Sequence, residues 1–356
     1  MLLPACAACG AVMDMQLMTH ICPACGGTYD FAEVQYFPPA GTSERGLRRY
    51  SAYFGLEARP FITLGEGQTP LLEDKIGERT VFHKMESLNP TGSYKDRGSV
   101  VLVNYLRTLK HQQVVEDSSG NAGASLAGYS ARAGLSARIF VPENTSGAKK
   151  EQIEAYGAQL VRVPGPRANA AAAVIGAASR GVIYASHAFL PFGMLGISTI
   201  AFEIFEALGN IEMEVIAPIG HGNLLLGIIR GFESLKNAGL ISRIPLFTGV
   251  QAEACAPAYH QYYQTAQPEL GSTIAEGVRV TTPVRADVLI RKIRLYNGMI
   301  TTVAESELAS AYRDLAGRGI HVEPTSALTW ASCKKSSGKN LPAVLIQTGA
   351  GLKYHQ

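Results

Sequence analysis

Asn89-Pro90-Thr91-Gly92-Ser93-Tyr94-Lys95-Asp96-Arg97-Gly98 decides how the rest of the chain is read. It follows the strand-like run Thr80-Val81-Phe82-His83 and opens a helix-like run from Ser99 to Leu109. Its first five residues favour a turn, and Ser93 suits a helix N-cap. Lys95 then falls in the first helical turn, where the helix dipole presents partial positive charge. That field disfavours the ammonium and favours the free amine, the form that attacks a carbonyl. Most lysines at helix starts are simply solvated, so the surrounding chain has to decide.

Outward from this stretch, apolar strands alternate with helical patterns. Strand-like runs occur at Gln113–Asp117, Arg138–Val141, Leu160–Val163, Val182–Ala185, Glu214–Ile219, Pro245–Gln251, Met299–Val303 and Ala343–Gln347. Helical runs lie between them, ending near Ala133 and covering Ala148–Tyr156, Ala168–Ser179, Ile197–Leu208, Asn223–Lys236 and Glu305–Ala316. The alanine-rich run Ala168 to Ala178 reads as a helix packed closely on a sheet. Repeated βα units with short connections imply parallel sheets covered by helices on both faces. Right-handed crossovers place the loops after the strands along one rim, where ligands bind.

The chain has 356 residues and a formal net charge of +3. That is long enough for two domains and offers no strong field for a polyanion such as nucleic acid. No apolar run reaches the roughly 20 residues of a membrane helix, and Met1-Leu2-Leu3-Pro4-Ala5 lacks a signal-peptide pattern. A cytoplasmic protein is expected.

Four of the six cysteines lie in two knuckles, Cys6-Ala-Ala-Cys9-Gly10 and Cys22-Pro-Ala-Cys25-Gly26. This spacing brings four thiolates to one tetrahedral ion and predicts a structural Zn²⁺ site with no open position for substrate. Disulfides are disfavoured in a reducing cytosol, and a redox dithiol needs only one pair. His20 could replace a cysteine, but four sulfurs already suffice. Cys255 and Cys333 are isolated and read as ordinary thiols. Phe31 to Pro60 is aromatic and proline-rich and looks like a wrapping segment.

Three loops after strands carry candidate chemistry. Ser118-Ser119-Gly120-Asn121-Ala122 opens a helix, and its hydroxyls and backbone N–H groups suit a carboxylate, though a plain capping turn reads the same way locally. In Gly220-His221-Gly222-Asn223-Leu224 the glycines let backbone amides converge on a phosphate at a helix N-terminus; a lone Gly-x-Gly is weak by itself. Gln347-Thr348-Gly349-Ala350-Gly351-Leu352-Lys353 ends the last strand.

Together these motifs, in this order, resemble the threonine synthase family of fold-type-II, tryptophan synthase β-like enzymes that use pyridoxal 5′-phosphate. The resemblance runs from the cysteine knuckles to Lys353. It implies two doubly wound parallel-sheet domains with a small N-terminal zinc ribbon: residues 1–30 the ribbon, 31–82 and 186–356 the large cofactor-binding domain, 83–185 the small domain. Gly65-Glu66-Gly67-Gln68-Thr69-Pro70-Leu71 resembles the segment that leads into the family's catalytic domain. The resemblance makes Lys95 the lysine that forms the Schiff base with the cofactor. It makes Ser118, Ser119, Asn121 and the Ala122 position the grip on the substrate carboxylate, with Asn121 also at the ring hydroxyl. Gly220, His221, Gly222, Asn223 and Leu224 match the phosphate cradle, and Thr348 the partner of the pyridine nitrogen. A neutral partner leaves that nitrogen largely unprotonated. Glu276 could lie near the ring, and Glu323 is expected to cap a helix.

The implied activity is a β/γ-elimination or replacement on a small amino acid by a homodimer, with O-phosphohomoserine the first candidate. The sequence departs from the family where that substrate's phosphate is held. Ala122 stands where threonine is usual, and Leu190-Pro191-Phe192-Gly193-Met194 lacks the usual arginine. A dianion without a bidentate cation is hard to bind selectively; Lys149, Lys150 or His221 are the substitutes at hand. The alternatives are an ammonia-lyase or dehydratase acting on serine, threonine or diaminopropionate, or a β-replacement synthase. A reading of another class makes the ribbon a macromolecule-binding module on an inactive sensor; near-neutral charge and complete cofactor motifs argue against it.

Overall fold

The computed structural model describes residues 1–31, 44–56, 60–144, 147–336 and 341–354. Much of the segment read as wrapping lies outside these residues. Within them the chain forms β1 (Ala5–Cys6), β2 (Tyr29–Asp30), β3 (Leu71–Ile76), β4 (Arg79–Lys84), α1 (Lys95–Thr108), β5 (Gln113–Glu116) and α2 (Asn121–Ala133). Next come β6 (Ser136–Pro142), α3 (Ala148–Ala155), β7 (Gln159–Val163), α4 (Arg167–Ala178), β8 (Ile183–Tyr184), α5 (Phe192–Leu208), β9 (Glu214–Pro218) and α6 (Asn223–Asn237). The chain continues through β10 (Leu246–Ala252), α7 (Pro257–Tyr263), α8 (Ala286–Leu295), β11 (Met299–Val303), α9 (Glu305–Gly317), α10 (Pro324–Lys335) and β12 (Ala343–Ile346). These elements divide into two compact units. One holds residues 1–67 and 95–197, the other residues 68–94 and 198–354.

The first unit is built on a four-stranded parallel sheet in the order β7-β6-β5-β8. Val114, Val115, Ile139 and Val141 are fully buried, as expected of central parallel strands covered on both faces. Alanine-rich α4 lies on this sheet through Ala170, Val174 and Ala177, which pack with Val115, Phe140 and Tyr184. Small side chains let the helix approach closely. At the start of α2 the approach is closer still: a Cβ on Gly123 would fall 1.9 Å from the Ser118 carbonyl oxygen. Only glycine fits there, so the helix begins hard against the end of β5.

The second unit has a six-stranded sheet in the order β11-β10-β9-β12-β4-β3. It is parallel except for the edge hairpin β3–β4. Three helices there were not expected from sequence. α8 shows a clear apolar stripe of Ala286, Leu289, Ile290 and Ile293. α7 is short, and Pro257 at its start reads as a turn. α10 is buried along Pro324–Cys333, so it has no polar face and no amphipathic period to read. Helix α5 begins at Phe192 rather than Ile197, because Phe192 is buried against Tyr105 and Phe31, with ring centroids 4.6 and 5.5 Å away.

A buried polar network ties the lead-in segment to the turn of the lysine motif. Lys84 Nζ donates to the Thr69 carbonyl, to Thr69 Oγ1 and to Glu203 Oε2, each at 2.6 Å. Thr69 Oγ1 donates to Glu86 Oε1 at 2.7 Å. Asn89 Nδ2 donates to the Glu86 carbonyl and to Oε2, both at 2.9 Å. Lys84 is 2% and Glu86 0% exposed, so this cation answers buried carboxylates that solvent does not reach. Removing one partner of such a pair costs about 3–5 kcal/mol. Lys84→Met is therefore expected to lower unfolding stability by that amount in urea titrations; a loss below about 1 kcal/mol would contradict the assignment.

Candidate active site

Lys95 is the first residue of α1. The turn before it is held on the second unit by the residues that continue β12. The Ser87 N–H donates to the Gln347 carbonyl at 2.8 Å, the Tyr94 N–H to the Thr348 carbonyl at 3.0 Å, and the Ala350 N–H to the Gly92 carbonyl at 2.9 Å. Lys353 Nζ donates to the Thr91 carbonyl at 2.6 Å. Ser93 is not the helix cap expected. The helix starts two residues later, and the Ser93 hydroxyl is buried with no hydrogen-bond partner among the described residues. Its backbone instead bridges Gly349.

On the first unit Asp96 is fully buried and accepts from Ser125 Oγ at 2.7 Å, which fixes the start of α1 to α2. The Ser118–Asn121 loop leaves β5 half-buried. Ser118 Oγ accepts the Gly120 N–H at 3.3 Å, a local turn that leaves the loop short. Asn121 is the first and Ala122 the second residue of α2, so the unfilled N–H groups of a helix start lie at this loop. Ser119 is half-buried in the same turn.

The same edge of that unit carries a constellation that sequence reading passed over. Glu116, the last residue of β5, is 1% exposed and lies 2.8 Å from His187 Nδ1. Asp117 follows it and accepts from Tyr184 Oη at 2.7 Å. Burial pushes the Glu116 carboxyl well above the usual range and Asp117 adds to this, while the charges of Lys95 and Arg167 pull the other way. His20 sits edge-on to Tyr184 and Phe189, with centroids 5.3 and 5.4 Å apart. The visible signal is an acidic pair, Glu116-Asp117, directly before the Ser118 loop; His187 is distant in sequence and gives none.

On the second unit, Gly222 caps α6 at φ +97°, a conformation that side chains resist. The cap leaves the first-turn N–H groups at Asn223, Leu224 and Leu225 without intrahelical acceptors. Gly220 lies against the Gly277 carbonyl, which would sit 3.0 Å from a Cβ placed there. The His221 carbonyl accepts the Arg285 N–H at 3.0 Å. Open N–H groups at a glycine-bounded helix start fit a phosphate. Glu276 is exposed in a short 3-10 turn beside Gly277.

Thr348 is 1% exposed. Its hydroxyl donates to Glu323 Oε1 at 2.9 Å and lies 2.9 Å from Ser326 Oγ. Glu323 does occupy the N-cap position of α10, but its side chain makes no cap bond. The expectation of a capping carboxylate is thereby corrected: the acid reaches across to Thr348. With its proton committed to Glu323, Thr348 presents only oxygen lone pairs to a third partner.

The cysteine knuckles meet as expected. Their four sulfurs all lie within 4.8 Å of one another, with Cys6 and Cys25 3.4 Å and Cys9 and Cys22 3.7 Å apart. A zinc tetrahedron with arms of about 2.3 Å has edges near 3.8 Å, so the donor set fits. Backbone N–H groups of Cys9 and then Ala8 hold the Cys6 thiol down at about 6. His20 stands apart, in its aromatic contacts.

A sequence profile of pyridoxal-phosphate dependent enzymes matches residues 62–349. The chain is 33% identical to the threonine synthase of Methanocaldococcus jannaschii, across 99% of this chain and 93% of that one. It is 31% identical to the threonine synthase of Methanosarcina acetivorans, across 98% and 91%. Among solved structures it resembles maize serine racemase, with a TM-score of 0.69 at 20% identity over 80% of this chain and 89% of that one. A solved bacterial-type threonine deaminase gives 0.66 at 25% identity over 82% and 94%.

Thr348→Val removes a buried donor from Glu323, which costs about 1–3 kcal/mol when the acceptor is left unpaired. Thr348→Ser keeps the hydroxyl and is expected to stay within about 1 kcal/mol of the parent. Urea unfolding of both variants checks this; equal losses would show that the hydroxyl is not what matters.

Proposed function

Because the chain belongs to the pyridoxal-phosphate dependent enzymes, in the threonine synthase family, we propose that it is a carbon–oxygen lyase. Its reaction is a β/γ-elimination or replacement on a small amino acid, with O-phosphohomoserine the first candidate. The observation that carries this is Lys95 at the start of α1, on a turn bonded residue by residue to the Thr348 tail. Similarity to threonine synthases over nearly the full chain supports the substrate class.

In this reading Lys95 holds the cofactor through its Nζ. Gly220, His221, Gly222, Asn223 and Leu224 hold its phosphate, Asn121 its ring hydroxyl and Thr348 its ring nitrogen. Ser118, Ser119, Asn121 and Ala122 line the grip on the substrate carboxylate. When bound, the cofactor supplies a conjugated sink for the charge left at Cα. Lys95, once released, is the amine placed to take the Cα proton. The protein works in the cytoplasm as a homodimer, with a ribbon over residues 1–30 closed by zinc on Cys6, Cys9, Cys22 and Cys25. Two α/β domains, 83–185 and the remainder, carry the chemistry.

A second reading, an ammonia-lyase or dehydratase, is favoured by one specific feature. Ala122 and the arginine-free run Leu190–Met194 leave the phosphate of O-phosphohomoserine without its usual partners.

Titrating candidate amino acids into the cofactor-loaded protein, with phosphate, ammonia and 2-oxo acid assayed in parallel, separates the two. A visible band that shifts with O-phosphohomoserine and releases phosphate supports threonine synthesis; a shift only with unphosphorylated amino acids, with ammonia released, supports the second reading. Lys95→Ala is expected to abolish both band and turnover, and full activity in that variant would sink the assignment. Metal analysis is expected to find about one zinc per chain, lost in Cys9→Ser; a metal-free parent protein would contradict the ribbon.

A further inference from the structure

The Glu116–His187 pair has no part in the roles given above. It lies on the same unit as Lys95, and Glu116 is close enough to feel that lysine's charge. The Glu116 carboxyl meets His187 Nδ1 at 2.8 Å. Its other oxygen, Oε2, is buried and makes no hydrogen bond among the described residues. The His187 side chain, by contrast, is 22% exposed, so the ring leads from a buried acid toward the surface of its unit.

The contact at Nδ1 fixes what the other ring nitrogen does. A carboxylate with an imidazolium and a carboxylic acid with a neutral imidazole contain the same two protons. In both arrangements Nε2 carries a hydrogen. Both are neutral overall, and burial favours them over the one-proton, net-negative pair. The pair is therefore loaded to give up a proton at Nε2, ending as carboxylate and Nδ1–H imidazole.

Leaving-group chemistry says where such a proton is needed. A phosphate departs with its own charge already stabilised. A hydroxyl or an amine leaves poorly unless protonated as its bond to carbon breaks. The acidic edge formed by Glu116 and Asp117 also opposes a dianion. The pattern matches a substrate that carries no phosphate.

We propose that His187, held by Glu116, is the general acid that protonates the hydroxyl or amine leaving group of an unphosphorylated β-substituted amino acid. The proposal rests on the cofactor reading above and narrows its substrate class. The balance is simple. Lys95 takes the Cα proton, the Cα–H electron pair becomes the Cα–Cβ double bond, and the Cβ–X bond breaks. X leaves as water or ammonia with the proton from His187 Nε2. Hydrolysis of the enamine by water then gives a 2-oxo acid and ammonia. In this scheme His187 is a catalytic residue and Glu116 a positioning residue.

The test compares leaving groups in the cofactor-loaded enzyme. Serine, threonine and diaminopropionate need the proton, whereas β-chloroalanine does not. His187→Asn is expected to lose at least about 100-fold in turnover of the first group, while changing β-chloroalanine turnover less than about 5-fold. Glu116→Gln is expected to show the same split in smaller measure, and it serves if the first variant fails to fold; retention of the visible cofactor band marks both as folded. Equal loss on both substrate types in the folded variants would overturn the proposal and leave a structural role. A parent enzyme that consumes O-phosphohomoserine or β-chloroalanine but none of the first group would also overturn it, leaving the cofactor reading intact. A parent that takes up no cofactor would instead defeat the cofactor reading, and the proposal with it.

Discussion

The pairing of β4 with β12 does not stop where the strands end. Past Lys84 and Ile346 the two chain segments keep exchanging hydrogen bonds, through Gln347, Thr348 and Ala350 on one side and Lys84, Ser87, Gly92 and Tyr94 on the other. Buried backbone groups must find partners, and here each partner lies on the opposite segment. Thr91 and Lys353 are bonded although 262 residues apart. The turn that delivers Lys95 is therefore shaped by the last residues of the fold, and neither can shift alone. The Lys84 network adds a second anchor, since Asn89 at the start of the turn is held by Glu86.

How much of this is legible in the chain depends on whether the signal is local. Parallel strands such as Val114-Val115 and Val215-Ile216-Ala217 read as apolar runs because both their faces are covered. The cysteine knuckles read at once because their spacing is set by the geometry of a short turn around one ion. Lys95 reads because the turn residues before it are characteristic. Helix α10 does not read, because burial on all sides erases the polar stripe that betrays an amphipathic helix. Glu323 shows the same limit for a side chain: its position in sequence says cap, but a buried hydroxyl across the fold offers the carboxylate a better partner. The Glu116–His187 contact joins residues 71 apart, and no spacing rule links them.

The two units divide the chemical labour by kind. The second presents backbone N–H groups at a glycine-capped helix start and a hydroxyl chain from Ser326 and Thr348 to Glu323, which suit a fixed anionic and aromatic group. The first presents titratable side chains, Lys95, Glu116, Asp117 and His187, together with the small Ser118–Asn121 loop. Proton-moving groups thus gather on the unit that carries the reactive amine. That separation lets a change of substrate be made on one unit alone: altering the side chains around Ser118 and His187 leaves the cradle at Gly222 untouched.

Everything proposed for the site depends on Lys95 being the point of covalent attachment. Borohydride reduction of the cofactor-loaded protein followed by peptide mapping tests it directly. The expected result is one pyridoxyl group on the peptide that contains Lys95. A label on Lys84 or Lys353, or no label at all on a protein that binds the cofactor, would contradict the account.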